Sequence, residues 1–89
     1  MNTTTLKTPL LKILAKTYTP NTLIEQKFGR YDLAFKTDVK GNPILLFLGV
    51  KDENGKIKGE RYARRLIYNS LGKPLKDHWD RKGKATAQL

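Results

Sequence analysis

Residues 44–68 read ILLFLGVKDENGKIKGERYARRLIY, and this stretch decides the fold. Residues 44–50 are apolar at almost every position, which is typical of a strand that is covered on both faces. The Asn54-Gly55 pair that follows is a strong hairpin signal, because both residues tolerate a positive φ. Residues 57–68 then form a second long strand. We therefore expect an antiparallel hairpin at the centre of the protein.

Further strands are predicted on both sides of this hairpin. Residues 22–28 form a plausible first strand, and after Gly29 the apolar residues alternate with polar ones as in a half-buried strand. Asn, Asp, Gly and Pro mark turns at 38–43 and 69–74, and the last strand is expected at 75–81. The sequence thus predicts an antiparallel meander of four to five strands, which could curl into a partial barrel.

A short amphipathic helix is predicted before the first strand. Thr8 and Pro9 are typical of a helix start, as N-cap and first helical residue, and the helix would end near Thr17. A helix of about two and a half turns is not stable alone, so it must pack on the sheet. Its apolar side would consist of Leu6, Leu10, Ile13 and Leu14. The predicted fold class is therefore α+β.

The chain length indicates one domain. With 89 residues, two separate cores would each be too small to be stable, so we expect a single domain over residues 1–89. Residues 1–5 are expected to be a flexible lead, and residues 83–89 a frayed basic tail. The absence of cysteine excludes a disulfide framework, a thiolate zinc site and a cysteine nucleophile.

The charge of the chain indicates the kind of partner. Lys and Arg number 18 against 8 for Asp and Glu, which gives a formal net charge of +10. Such an excess favours polyanions, here RNA, single-stranded DNA or an acidic protein, although it could also serve only solubility. No apolar run is long enough to span a bilayer, so we expect no membrane partner and a cytoplasmic location. The oligomeric state is left open.

Basic and aromatic residues interleave in the last two predicted strands. Cationic groups neutralise phosphates and flat rings stack on unpaired bases, a combination that suits single-stranded nucleic acid. We therefore predict a non-catalytic nucleic-acid-binding module with weak sequence preference. An interaction module for an acidic protein is the alternative. The predicted binding residues are Arg61, Tyr62, Arg65, Lys76, Trp79, Arg81 and Lys82, and Tyr68 is a further stacking candidate.

Arg64 is a special case because of strand alternation. It shares a face with Tyr62, so it points toward the core if the tyrosine packs inward. A buried guanidinium needs a carboxylate or an anionic ligand, which makes Arg64 a candidate for an anion pocket. A bulge that turns Arg64 outward, or a side chain that extends to solvent at the sheet edge, are the alternatives.

His78 is the only histidine, and Asp80 would share its face of a strand. The pair permits a small basic nuclease with His78 as general base as a third hypothesis. One histidine with one carboxylate is too small a set for a metal site. No nucleotide-binding or hydrolase motif is present either. We therefore predict no catalytic residue, no metal and no cofactor.

The segments GERY at 59–62 and KDHWDRKGKA at 76–85 resemble a pattern in small uncharacterised basic bacterial proteins of similar length. The resemblance covers about the last third of the chain. It implies a self-standing small domain, and it assigns no function to any residue.

Overall fold

The computed structural model describes residues 6–87, with side chains as far as Lys84, and shows one helix followed by five strands. The α+β class with an antiparallel meander is confirmed. The elements are α1 (Thr8–Leu14), β1 (Leu23–Phe28), β2 (Tyr31–Thr37), β3 (Pro43–Lys51), β4 (Ile57–Tyr68) and β5 (Pro74–Ala87).

The strands form one sheet in the order of the chain. Each strand pairs antiparallel with the next, so β1 and β5 are the two edges. These edges do not pair with each other in residues 6–87. The sheet is therefore open, and the partial barrel that the sequence permitted is not closed.

The main core lies between α1 and one face of the sheet, which we call the covered face. The apolar side of the helix packs there as predicted, with Ile13 half-buried beside it. The ring of Tyr18 meets that of Phe35 edge-on, with centroids 5.0 Å apart. The buried residues of this core are Leu6, Leu10, Leu14, Leu33, Phe35, Leu46, Tyr62 and Trp79.

The helix is shorter than predicted at its C-terminal end and begins one residue earlier. Lys7 is the N-cap, without a side-chain hydrogen bond, and the helix ends at Leu14 instead of Thr17. The loop after the helix and the β2–β3 turn provide the hydrogen bonds at this end: the Tyr18 hydroxyl donates to the carbonyl of Ile13 at 2.8 Å, and the Tyr18 N–H donates to the carbonyl of Gly41 at 2.8 Å. These bonds turn the chain toward the sheet.

The opposite face, which we call the open face, has no helix on it, since α1 is the only helix in the described chain. Ala34 and Ile57 form a small buried cluster there with the half-buried Phe47. The prediction that β3 is covered on both faces is therefore corrected. Leu45 and Phe47 are only half-buried, because neighbouring side chains and not a second layer lie beside them.

Strand β5 is longer than predicted. It extends to Ala87 instead of ending at Arg81, so residues 83–87 of the expected frayed tail are paired. β4 has 12 residues. On the side away from β3, the N–H and C=O groups of residues 57–61 would have no strand partner without residues 83–87. A bulge with Lys82 as the extra residue adjusts the register. Residues 1–5 and 88–89 lie outside the described residues.

Three turns of one form join β2 to β3, β3 to β4 and β4 to β5. Asp38, Asp52 and Asn69 open them, and the Oδ1 of each accepts the N–H groups two and four residues on, at 2.9–3.0 Å. In the first turn Gly41 has φ 84°, and a Cβ there would collide with the Tyr18 carbonyl oxygen. The turns set the register and hence the face of each side chain.

Candidate nucleic-acid interface

The residues predicted to bind nucleic acid all lie on β4 and β5, but they do not share a face. Successive side chains of a strand point to opposite faces. Arg61 and Arg65 therefore project from the open face, whereas Tyr62 and Trp79 project from the covered face and join the core. The register thus divides the predicted binding set in two.

The two predicted stacking residues are part of the core. Tyr62 and Trp79 are each 4 % exposed and belong to the same buried cluster as Leu10 and Leu14 of the helix. Neither ring presents a surface to a base, because the helix occupies that side of the sheet. The assignment of these two residues to stacking is therefore corrected.

Arg64 is buried and has partners within the chain. Its side chain is 7 % exposed, and Nε and Nη2 donate to the two carboxylate oxygens of Asp77 at 2.6 and 2.8 Å. Nη1 donates to the carbonyl oxygens of Leu14 and Pro43 at 3.2 and 3.1 Å. The guanidinium also lies 5.7 Å from the centroid of the Trp79 ring.

These contacts make Arg64 a clamp between α1, β3 and β5 and use four of its five N–H donors. Asp77 supplies the carboxylate that a buried arginine requires. The fold therefore needs no external anion at Arg64, and the predicted anion pocket is not proposed. The hydrogen bond from Arg64 lowers the pKa of the Asp77 carboxyl below its usual value. The bulge considered at Arg64 lies instead between Arg61 and Tyr62.

Arg81 is also paired on the covered-face side of the hairpin. Its Nη2 donates to Glu60 Oε1 at 2.7 Å, and this hydrogen bond raises the pKa of Arg81. Its register partner is Tyr62, which places it opposite to the face of Arg61. Arg81 therefore does not belong to the same surface as the other predicted phosphate ligands.

The open face keeps Arg61, Arg65 and Lys76, which are all exposed. Arg65 lies across from His78, and Lys76 follows one row further along the hairpin. None of these three side chains forms an ion pair in the described part of the chain. Lys82 is exposed as well and stands at the bulge beside them. The result is a row of available cations along one face of β4 and β5.

Phe47 is a residue of this surface that the sequence did not reveal. It is half-buried on the open face of β3 and lies directly across from Arg61 in the register. Lys36 on β2 adds a further exposed cation to the same face, across from Leu45. The apolar run of residues 44–50 hid Phe47, because a continuous run does not show which alternate positions are left uncovered.

His78 and Asp80 share the open face as predicted. His78 Nε2 lies 3.3 Å from Asp80 Oδ2, with 43 % and 32 % of the two side chains exposed. No group of three or more metal-binding side chains occurs among the described residues. The contact alone does not provide the second acid or base that a metal-free nuclease needs.

Comparison with known proteins adds no family. No family model, curated protein or solved structure matches this chain. The resemblance of residues 59–62 and 76–85 to small bacterial proteins therefore stays a prediction. In the described chain, no helix is long and apolar enough to cross a membrane.

Proposed function

We propose that the open face binds single-stranded nucleic acid with weak sequence preference. Arg61, Arg65 and Lys76 would neutralise phosphates, with Lys82 beside them, and Phe47 would contact a base. The observation that supports this most directly is the set of exposed cations on the face that the helix leaves open, which have no ion-pair partner among the described residues. The cytoplasmic location expected from the sequence is part of the proposal.

A single strand fits this surface better than a duplex does. Duplex DNA is usually read by a helix in the major groove, whereas α1 has seven residues and buries its apolar side in the core. A sheet face with an aromatic ring and cations can instead receive splayed bases and the backbone that joins them. Stacking and phosphate contacts tolerate every base, so little sequence preference is expected.

Fluorescence anisotropy of labelled single-stranded RNA, single-stranded DNA and duplex DNA tests the proposal, at low and near-physiological salt and with heparin as competitor. Arg61→Ala should weaken single-strand binding about tenfold, because a charge-assisted hydrogen bond is lost. It should also reduce the slope of log K against log salt by about 0.7. Arg30→Ala is the charge-matched control, since Arg30 lies in the β1–β2 turn beside Tyr31.

Phe47→Leu separates stacking from charge, since leucine keeps apolar contact with Ala34 and Ile57 but has no ring. We expect it to weaken single-strand binding about tenfold while heparin binding stays unchanged.

Equal effects of Arg61→Ala and Arg30→Ala, with no preference over heparin, would leave an acidic protein as the better partner. Cleavage of the RNA during the titration, abolished by His78→Ala, would support the nuclease alternative instead.

A further inference from the structure

Each end of the sheet carries two connections, but only one end carries two of the three turns that Asp38, Asp52 and Asn69 open; the other end has one of them and the short β1–β2 turn. The β2–β3 and β4–β5 turns, residues 38–42 and 69–73, lie at the same end, which we call the double-turn end. They are two strand spacings apart, about 10 Å. Tyr68 joins them: its ring lies 3.9 Å from the Lys40 ammonium, and its hydroxyl accepts a hydrogen bond from the Asn42 amide. The two turns therefore form one connected surface.

Exposed aliphatic side chains collect at this end. Val39 and Leu71 occupy the two turns and are 72 % and 80 % exposed, and Leu75 just after the second turn is 66 % exposed. Leu23 and Ile67, at strand ends on the same side, are exposed as well. Of the seven exposed large hydrophobic residues in the described chain, only Tyr31 and Val50 lie elsewhere. A single exposed leucine needs no explanation, but a group at one end does.

Unbalanced positive charge lies at the same end. Its lysines are Lys36, Lys40, Lys73 and Lys76. The carboxylates nearby are already engaged: Asp38 accepts the backbone N–H groups of its own turn, and Asp77 binds Arg64.

At the opposite end of the sheet three lysines are paired with carboxylates, whereas Arg30 and Lys56 have no ion pair among the described residues. Ion pairs join Lys27 to Asp32 at 3.0 Å, Lys51 to Glu25 at 2.6 Å and Lys58 to Asp52 at 3.8 Å. Exposed aliphatic residues and lysines without an ion pair in the described chain thus occur together at the double-turn end, and this coincidence identifies a distinct surface.

We propose, contrary to the expectation of no membrane partner drawn from the sequence, that the double-turn end docks on an anionic lipid surface. Val39 and Leu71 enter the boundary between headgroups and acyl chains, while Lys40 and Lys73, each next to one of the glycines that shape the turns, contact lipid phosphates. Projecting aliphatic tips with lysines beside them fit a flat, negatively charged interface, to which apolar burial and charge attraction both contribute. This surface shares Lys36 and Lys76 with the open face, but its tips, Val39 and Leu71 with Lys40 and Lys73, are no part of the nucleic-acid surface, and the lipid proposal does not depend on the proposed function.

The chain has no cysteine, so a single introduced cysteine carries a label at one defined place. Leu71→Cys, labelled with an environment-sensitive fluorophore, is mixed with phosphatidylcholine vesicles that contain or lack phosphatidylglycerol. Val50→Cys is the matched control, because Val50 is an exposed aliphatic residue far from the double-turn end. We expect a blue shift and brighter emission at position 71 with the anionic vesicles only, and no change at position 50.

A second measurement uses unlabelled protein and vesicle sedimentation. Val39→Ser combined with Leu71→Ser keeps the charge and should weaken binding to anionic vesicles about tenfold, because two aliphatic side chains no longer enter the interface. Val50→Ser should have no effect, and single-stranded RNA binding should be unchanged in both variants. Two results would overturn the proposal in favour of general attraction by charge. One is equal vesicle binding by the wild type, the double serine variant and Val50→Ser; the other is an equal response of the labels at positions 71 and 50.

A label response at position 71 to RNA or to an acidic protein, but not to vesicles, would also overturn the proposal and assign the end to that other partner. Arg61→Ala should leave vesicle binding intact while it weakens RNA binding. The lipid proposal and the nucleic-acid proposal can therefore fail separately.

Discussion

The covered and open faces of the β4–β5 hairpin contain similar residue types but use them differently. On the covered face the arginines are paired, Arg64 with Asp77 and Arg81 with Glu60. On the open face Arg61 and Arg65 have no ion-pair partner within the described residues. The difference shows that the sequence neighbours of an arginine do not determine its role.

The cause is the unequal energetic cost of charge on the two faces. A guanidinium that the helix shields from water must be hydrogen-bonded and paired, because an uncompensated buried charge is strongly destabilising. An exposed arginine keeps its hydration and needs no partner. Arg64 therefore contributes to the fold, whereas Arg81, 46 % exposed, forms a surface pair with Glu60, and the open-face arginines remain available to a ligand.

The largest expected effect that tests this comparison is that of Trp79→Ala. Removal of a buried indole should lower the free energy of unfolding by about 3–5 kcal/mol, measured by urea denaturation. Arg61→Ala, on the open face, should change it by no more than about 0.5 kcal/mol. If Trp79→Ala instead abolished RNA binding with unchanged stability, Trp79 would belong to the ligand surface and the distinction between the faces would break.

A smaller loss is expected from Asp77→Ala, which leaves the buried Arg64 without its carboxylate. We expect the free energy of unfolding to fall by about 2–3 kcal/mol, less than for a fully buried pair because Asp77 itself is partly exposed. Thermal or urea unfolding measures the loss. The double variant Arg64→Met with Asp77→Leu should regain much of the stability, since no unpaired charge remains. A double variant that is less stable than Asp77→Ala would contradict the clamp.

The smallest of the three effects is a loss of folding stability at acid pH. Arg64 lowers the pKa of Asp77, and backbone N–H groups of Lys51 and Lys56 lower those of Asp32 and Asp52. A carboxyl whose pKa is lower in the folded state stabilises the fold above its unfolded pKa, about 4, and this contribution is lost as the pH falls further. Melting temperatures measured below about pH 5 should therefore decline. Asp77→Asn should decline less steeply, and an equal slope would show that Asp77 contributes nothing.

Much of the fold was predictable because its signals are local. The Asn54-Gly55 turn and the limits of β4 agree with the prediction, as do the turns at 38 and 69. The strand that continues to Ala87 was missed, because its sequence is charged and only its pairing with residues 57–61 holds it in place. The helix end was missed for a similar reason, since the Tyr18 N–H bonds to Gly41, in a turn that is distant in sequence.

The binding surface was predictable only in part. The interleaving of basic and aromatic residues was correctly recognised, but an alternation with a period of two places the two types on opposite faces. Arg61 and Tyr62 are neighbours in the chain and yet lie on different sides of the sheet. Phe47 reaches the vicinity of Arg61 only through the pairing of β3 with β4.

The sequence by itself determined an antiparallel meander of four to five strands and the excess of positive charge, since turn residues and alternation act over a few neighbours. Only the tertiary structure decided which face of the sheet became the interior. Strand alternation defines two sets of side chains, but burial depends on the side to which a distant helix packs. That packing buries Tyr62 and Trp79, requires a partner for Arg64, and leaves Arg61 and Arg65 in water.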